Sequence, residues 1–176
     1  MKSIKPIAGI RRFSLGRVSV ELTRLEHLPA LWAILKDRPT FWAGNGGTSP
    51  EALPGFVEWW RQNALDGLTG FDNGRIVGGA FLDLIYPGLY ATVHVFKERG
   101  YLNPRMISGI MKSGIPIFFE RHNLEKLVGI VPINNRAVVR LAKAVGMSIR
   151  GTLRHHQKVN GQWQDYYWCE ILKEEL

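Results

Sequence analysis

Residues 68–97, LTGFDNGRIVGGAFLDLIYPGLYATVHVFK, contain the pattern that decides the fold. Runs rich in β-branched and aromatic residues alternate here with two turn signals, Asp72-Asn73-Gly74 and Pro87-Gly88. The pattern predicts three consecutive antiparallel strands: 68–71, 75–85 and 89–97. A sheet of this kind needs helices to cover its apolar face, so the flanking sequence should supply them.

Two helices are predicted before this stretch, over residues 26–36 and 51–65, from apolar side chains at helical spacing. Ser49-Pro50-Glu51 offers the second helix an N-cap, a proline in its first turn and an acidic residue, and we expect a bend near Pro54. Residues 44–47, GNGG, predict a loop between the two helices. Four tryptophans in this region are expected to be core rather than substrate pocket: Trp32, Trp42, Trp59 and Trp60.

After residue 97 the pattern predicts, in order, a helix from Pro104, a strand over 124–131, a helix over 134–145 and a hairpin turning at Asn160-Gly161. The predicted element order is β-α-α-β-β-β-α-β-α-β-β. We therefore expect an α/β (α+β) fold with a mixed, mainly antiparallel twisted sheet of six to seven strands and about four helices. Residues 1–176 should form a single domain.

The composition narrows the class of protein. Hydrophobic residues make up 45% and charged residues 22%, as in globular proteins. No run approaches the roughly 18 apolar residues of a membrane span, and the N-terminus lacks a signal-peptide pattern, so we expect a cytoplasmic protein with no membrane partner.

The net charge of +8 predicts an anionic partner: nucleic acid, an acidic protein surface or a phosphate-rich cofactor. Cys169 is the single cysteine and is expected to be a buried thiol.

The C-terminal half carries several motifs in a fixed order. Asn135-Arg136-Ala137-Val138 precedes Gly146-Met147, and further on come residues 149–154, IRGTLR, the Asn160-Gly161 turn, and Asp165 ahead of Tyr166-Tyr167-Trp168. Together with the element order, this series resembles the GNAT superfamily of acyl-CoA-dependent N-acyltransferases, and in particular the branch that acetylates ribosomal-protein N-termini. Val138 and Met147 replace residues of the superfamily pattern.

The resemblance implies acetyl-CoA as the co-substrate. Members of the superfamily hold the pantetheine arm with backbone groups of the fourth strand, and the pyrophosphate with a glycine-rich loop. That loop corresponds here to residues 97–105, KERGYLNPR, which has one glycine and three basic residues that either bind phosphate or only solvate the loop. The residues expected to bind the cofactor are Val93, Val95, Phe96, Lys97, Arg99, Gly100, Arg105, Asn135 and Arg140.

The resemblance also places the chemistry on the strand over 89–97. The superfamily's catalytic glutamate position holds Thr92, which cannot act as a base at neutral pH. His94 lies two residues further on the same face, and because an imidazole titrates near neutral pH it is the predicted general base, unless it is a hydrogen-bonded structural histidine. Asp83 and Glu98 are alternatives. The position of the superfamily's tyrosine acid holds Ala142.

Two functions follow from these observations. The first is an N-acetyltransferase whose acceptor is the primary amine of a small molecule or of a protein N-terminus. The second is a non-catalytic GNAT-like module that binds nucleic acid or another acidic partner. No metal site is expected, because His155 and His156 are neighbours in a strand and point to opposite faces. The chain is expected to be a monomer or a homodimer.

Overall fold

The computed structural model describes residues 12–15, 17–43, 49–101 and 104–176. The strands are β1 (Arg12–Leu15), β2 (Val18–Leu22), β3 (Asp66–Asp72), β4 (Arg75–Tyr86), β5 (Tyr90–Lys97), β6 (Lys126–Pro132), β7 (Ser148–Val159) and β8 (Gln162–Leu172). The helices are α1 (Leu28–Leu35), α2 (Pro39–Ala43), α3 (Leu53–Asn63), α4 (Pro104–His122) and α5 (Arg136–Ala144). Short 3₁₀ turns span Leu25–His27 and Lys173–Glu175.

The eight strands form one sheet in the order β1-β2-β3-β4-β5-β6-β8-β7. Neighbouring strands are antiparallel except β5 and β6, which are parallel and are connected through α4. The predicted fold class, a mixed and mainly antiparallel sheet flanked by helices, is confirmed. The structure adds one strand and one helix to the predicted order, and the short helix is α2.

The two hairpin turns read from the sequence are present. Asn73 and Gly74 have φ angles of 49° and 79°, and Asn160 and Gly161 have φ angles of 49° and 79°. Two successive residues in the left-handed region match the right-handed twist of the flanking strands, which is why asparagine followed by glycine is favoured there. The hairpins β3–β4 and β7–β8 are therefore specified locally.

Helix α3 begins later than predicted. Its first residue is Leu53, its N-cap is Ala52, and Pro54 lies in its first turn. A proline in the first turn costs no helical hydrogen bond, so Pro54 starts the helix instead of bending it, and Pro50 lies outside. The predicted loop at residues 44–47 lies outside the described residues.

The two faces of the sheet bury separate hydrophobic clusters. Val93, Leu82 and Leu127 belong to the cluster on the face that α4 and α5 cover. Phe81 and Phe96 belong to the cluster on the opposite face, where α1, α2 and α3 contribute leucines and aromatic rings. Among the four tryptophans expected in the core, Trp42 and Trp60 are buried, whereas Trp32 and Trp59 pack against the cluster partly buried.

Cys169 is fully buried in the first cluster, as expected, and burial raises the pKa of its thiol. A thiol with a raised pKa carries little thiolate at neutral pH, which disfavours a nucleophilic role. None of the described helices is long and apolar enough to cross a membrane.

Candidate functional site

Strand β5 separates from β6 after a short parallel ladder. Their pairing consists of Tyr90 with Lys126, Ala91 with Leu127 and Thr92 with Val128. On its other edge, β5 stays paired with β4 as far as Lys97. From residue 93 to residue 97, the β5 edge that faces β6 has no partner strand in the described parts of the chain, and the same holds for residues 129–132 of β6 towards β5. We call this opening the wedge; its backbone donors and acceptors are available to a ligand.

His94 lies on β5 two residues beyond the last rung of that ladder. Its Nε2 lies 2.9 Å from Oδ2 of Asp83 on β4, and both side chains are partly exposed, at 23% and 28%. The His94 ring stacks on Phe81, with ring centroids 4.6 Å apart and planes 7° apart. Phe81 is fully buried and therefore held in place by the core, so its ring restrains the plane of the His94 imidazole stacked on it.

The second carboxylate oxygen of Asp83 has no partner. Oδ1 is buried and accepts no hydrogen bond within the described residues. A buried polar atom without a partner costs about 1 to 3 kcal/mol, so native structures keep few of them. Regular β4–β5 pairing also stops here, because the register shifts between Asp83 and Tyr86 and Leu84 adopts a left-handed φ of 44°. Unpaired polar atoms and strained backbone of this kind concentrate at functional sites.

The two positions that the sequence resemblance assigned to acid–base residues hold inert side chains. Thr92 is 6% exposed and lies directly opposite Asp83 in the β4–β5 ladder. Ala142 on α5 is also 6% exposed and belongs to the cluster under α4 and α5. His94 and Asp83 are two titratable groups that lie beside the wedge on the α1–α3 face.

The loop after β5 is held by its own contacts. Lys97 Nζ donates to the carbonyl oxygen of Tyr101 at 2.8 Å, and Gly100 adopts a left-handed φ of 82° that lets the chain turn between them. The Tyr101 hydroxyl donates to Asp72 Oδ2 at 3.1 Å. Glu98, one of the alternative bases, lies with both carboxylate oxygens 2.7 Å from Arg75 Nη1. Residues 97–101 of the predicted pyrophosphate loop thus form a turn, with the Lys97 ammonium directed at the Tyr101 carbonyl.

Two arginines lie close to each other near this loop. Burial lowers the pKa of the Arg38 guanidinium, and the positive charge of the nearby Arg99 lowers it further. Arg38 Nε donates to the Ile34 carbonyl at 2.9 Å, and Arg99 is exposed. No carboxylate in the described ranges pairs with either guanidinium, which makes this a place where an anion is favoured. Nothing in the sequence pointed to Arg38, since its neighbour Arg99 comes far later in the chain.

The remaining predicted cofactor residues are distributed over three elements. Val95 borders an apolar cleft between α4 and the sheet, and Phe96 points to the opposite face, where it is buried. Asn135 is the N-cap of α5 and its Oδ1 accepts from Val138 N at 3.3 Å. Arg140 is exposed on the same helix. The side chain of Arg105 lies outside the described residues.

His155 and His156 contact different aromatic rings. His155 stacks on Trp163 at 6.0 Å between centroids, and His156 lies 5.0 Å from the Tyr166 ring. Trp163 and Tyr166 occupy odd and even positions of β8, hence opposite faces of the sheet. In the described ranges no three His, Cys, Asp or Glu side chains are grouped so as to hold a metal ion.

Solved structures with this arrangement of strands and helices are acetyltransferases. A spermidine N-acetyltransferase from Vibrio cholerae in complex with CoA and spermine matches 92% of this chain and 98% of its own, with a TM-score of 0.78 and 17% identity. A ribosomal-protein-S5-alanine acetyltransferase from Vibrio fischeri matches 93% and 97%, with a TM-score of 0.76 and 15% identity. A GNAT-family acetyltransferase from Bacillus anthracis matches 93% and 99%, with a TM-score of 0.75 and 14% identity.

The chain therefore has the fold of the GNAT acetyltransferases. No protein-family model matches its sequence, and no curated protein sequence matches it either. The likeness to the solved structures is one of backbone architecture, so the reaction and its residues have to be argued from the side chains of this chain.

Proposed function

We propose that this protein is an acetyl-CoA-dependent N-acetyltransferase that transfers an acetyl group to a primary amine, with His94 as the general base. The observation that carries the proposal is the His94–Asp83 pair beside the wedge. It joins a group able to accept a proton to an unpaired strand edge able to hold an extended, amide-containing ligand. The acetyltransferase fold supports the same reading.

The described residues fit acetyl-CoA at two places. The β5 edge from Val93 to Lys97 offers backbone groups to the two amides of a pantetheine arm, in the manner of an added strand. Arg38 and Arg99 offer positive charge to phosphate groups near the loop. Gly100 is the single glycine of that loop, so side-chain cations carry more of the phosphate recognition than backbone amides do. When bound, acetyl-CoA supplies the acetyl thioester.

The hydrogen bond to Asp83 assigns the two imidazole nitrogens of His94 different roles. With Asp83 ionised, Nε2 carries the proton and donates to Oδ2, which leaves Nδ1 as the acceptor. No partner occupies Nδ1 in the described residues. As the new C–N bond forms, the C–S bond breaks with its electron pair staying on sulfur, so CoA would leave as a thiolate that takes a proton from solvent. The amine loses a proton, and Nδ1 takes it directly or through one water. Asp83 then stabilises the imidazolium, and a backbone N–H near Val95 is the donor that we propose for the oxygen on which negative charge develops.

For the acceptor we favour an amine on a protein N-terminus or on an anionic molecule over a polyamine. The chain has a net charge of +8, and Arg38 and Arg99 lack carboxylate partners in the described ranges. A polycation would be repelled by such a surface, whereas recognition of several ammonium groups requires several carboxylates. The cytoplasmic location and the monomeric or homodimeric state remain predictions.

The test begins with binding and continues with turnover. A ligand that binds only the folded protein raises its melting temperature, so millimolar acetyl-CoA should shift the transition upward and calorimetry should give a saturable isotherm. The Arg38→Ala/Arg99→Ala double variant should bind acetyl-CoA more weakly, and Arg61→Ala on α3 is the matched control. Thiol release is then followed with spermidine, with neutral and acidic peptides bearing free N-termini, and with small amines. The absence of any thermal shift at millimolar acetyl-CoA contradicts the proposal.

A further inference from the structure

The outer part of the β7–β8 hairpin presents an exposed aromatic ring with a lysine and a histidine against it. Trp163 is 58% exposed, the highest value among the aromatic residues described as exposed. His155 stacks on it with ring planes 25° apart, and Lys158 Nζ lies 5.9 Å from its ring centroid. Arg154 is exposed next to His155. We call these four residues the hairpin cluster.

The backbone of β7 is distorted where the cluster forms. The β7–β8 register shifts between Leu153 and Gln157, and His155 adopts a left-handed φ of 48°. The carboxylate of Asp165 accepts from His155 N at 2.8 Å and holds this conformation. A left-handed non-glycine residue within a strand is unfavourable, so its retention at an exposed ring stack is not explained by packing. The distortion instead holds His155 against the Trp163 ring.

Basic side chains outnumber acidic ones around the cluster, where the Asp165 carboxylate accepts from the backbone N–H of His155. Residues 148–164 include Arg150, Arg154, Lys158 and two histidines, and contain no aspartate or glutamate. Arg150 is paired with Glu170, whereas no carboxylate of the described residues pairs with Arg154 or Lys158. Strand β7 is the edge of the sheet, and β6 and β8 separate it from β5 and the wedge. The cluster is therefore a second positively charged surface, separate from the His94–Asp83 pair.

We propose that the hairpin cluster binds single-stranded nucleic acid. Proteins that bind single strands combine exposed aromatic rings, on which bases stack, with Lys and Arg side chains that contact the phosphates. Here Trp163 and His155 provide the stacking surface, and Lys158 and Arg154 provide the cations. An acidic protein would use the same cations but has no planar group that gains from an exposed indole, so the ring favours nucleic acid. The proposal does not depend on acetyl transfer.

The test measures binding of a labelled oligouridine RNA of about 12 nucleotides, a length within known single-strand sites, to the full-length protein by fluorescence anisotropy. Trp163→Ala should weaken binding roughly ten- to a hundredfold, and Trp163→Phe should lose less because it keeps a ring. Lys158→Ala and Arg154→Ala should each lower the salt dependence by about one phosphate contact. Arg61→Ala removes an equal charge from exposed α3 and should leave the affinity unchanged.

Three outcomes overturn the proposal. One is the lack of saturable RNA binding at about 100 mM salt, a concentration at which surface charges are screened beyond roughly 10 Å. Another is an affinity that Trp163→Ala leaves unaltered, or that Arg61→Ala lowers as much as Lys158→Ala does, since binding would then reflect net charge alone. The third is equal competition by polyglutamate, which would identify the cluster as a surface for acidic proteins.

Discussion

Two aspartate–histidine pairs occur in the part of the chain that the structure describes, and their geometry is almost the same. His94 Nε2 lies 2.9 Å from Asp83 Oδ2, and His122 Nε2 lies 2.8 Å from Asp66 Oδ2. The pairs differ in burial, since the Asp66 and His122 side chains are 9% and 6% exposed, against 28% and 23% for Asp83 and His94. Distance alone therefore does not distinguish a structural pair from the pair that we propose to be catalytic.

The partners of the carboxylates do distinguish the pairs. Asp66 accepts from Gly67 N at 2.9 Å and from Arg121 Nε at 2.7 Å in addition to His122. Burial raises the pKa of Asp66, but the hydrogen bonds from His122 and Arg121 outweigh it and hold that pKa below its usual value. Asp83 instead keeps Oδ1 unpaired. The first carboxylate is satisfied within the fold, and the second has capacity left for a ligand, a water or a proton transfer.

The largest effect should come from His94→Ala. If His94 accepts the amine proton, kcat/KM should fall about 100- to 10,000-fold, the usual contribution of general-base catalysis. The wild-type kcat/KM should rise with pH over the range in which the base loses its proton, and this limb should flatten in the variant. Steady-state kinetics against pH measure both.

Two controls make the His94 result interpretable. Acetyl-CoA affinity and melting temperature should stay near those of the wild type, because the ring contributes neither backbone nor phosphate contacts. His122→Ala should reduce stability without changing kcat per folded molecule. A loss of only a few-fold in His94→Ala would remove the residue from the mechanism and leave positioning and backbone electrostatics as the source of catalysis.

Asp66→Asn should give the next largest effect, on stability. The amide leaves Arg121 and His122 without a carboxylate in a buried setting, which should cost about 3 kcal/mol at neutral pH. Because folding lowers the pKa of Asp66, this stabilisation is fully present above the usual aspartate value of 3.8 and is lost as the pH falls through the lower folded value. Urea unfolding of both proteins from neutral to acid pH should show the two curves converging at low pH; a constant gap would contradict this account.

Asp83→Asn should separate activity from stability. Loss of a hydrogen bond to a charged partner is worth about 1.5 to 3 kcal/mol, so kcat should fall roughly ten- to a hundredfold. The free energy of unfolding should be unchanged or higher, because the variant removes a charge with an unpaired buried oxygen. If Asp83→Asn were destabilised yet fully active, the Asp83–His94 pair would be structural and our assignment of the two pairs would be wrong.

The smallest effect concerns a third histidine, His27, which lies 3.3 Å from Glu21 and is 5% exposed. Burial lowers the pKa of His27, more than the charge of Glu21 raises it. Its contribution to stability is therefore fully present above the usual histidine value of 6.5 and is lost as the pH falls below it. His27→Gln should make stability less dependent on pH between about 5 and 7, by less than Asp66→Asn changes it. An unaltered pH dependence would show that His27 does not titrate in that range.

The sheet could be predicted because its determinants are local. Asn73-Gly74 and Asn160-Gly161 specify their hairpins by backbone conformation, and alternation along β5 assigns Val93 and His94 to opposite faces. The predicted start of α3 was wrong because a proline is favoured in the first turn of a helix and both Pro50 and Pro54 could occupy that position. Only tertiary packing selects Pro54.

The candidate site was accessible to sequence reasoning only in part. Alternation places Asp83 and His94 on one face. Their hydrogen bond, however, depends on the β4–β5 register and on the irregularity at Leu84, and neither of these can be predicted from the local sequence. Lys97 stays a predicted cofactor residue, and its ammonium donates to a carbonyl four residues ahead because Gly100 turns the chain back, a contact that spacing did not predict. Interactions that arise from tertiary structure, such as the charge repulsion between Arg38 and Arg99, cannot be predicted from the spacing of residues.

The three-rung ladder between β5 and β6 has a consequence for how the protein opens. Strands β1 to β5 and β6 to β8 are each joined by long antiparallel ladders, so they form two cooperative blocks that share a single short backbone seam. Amide protons of the seam should exchange with solvent by local opening, and those deep in β4 or β8 only by global unfolding. A ligand lying in the wedge would hydrogen-bond to one block and pack against the other. It would thereby extend the connection between β5 and β6 beyond their three residue pairs. Its binding should therefore slow exchange at the seam far more than elsewhere and bring the two blocks to a single unfolding transition.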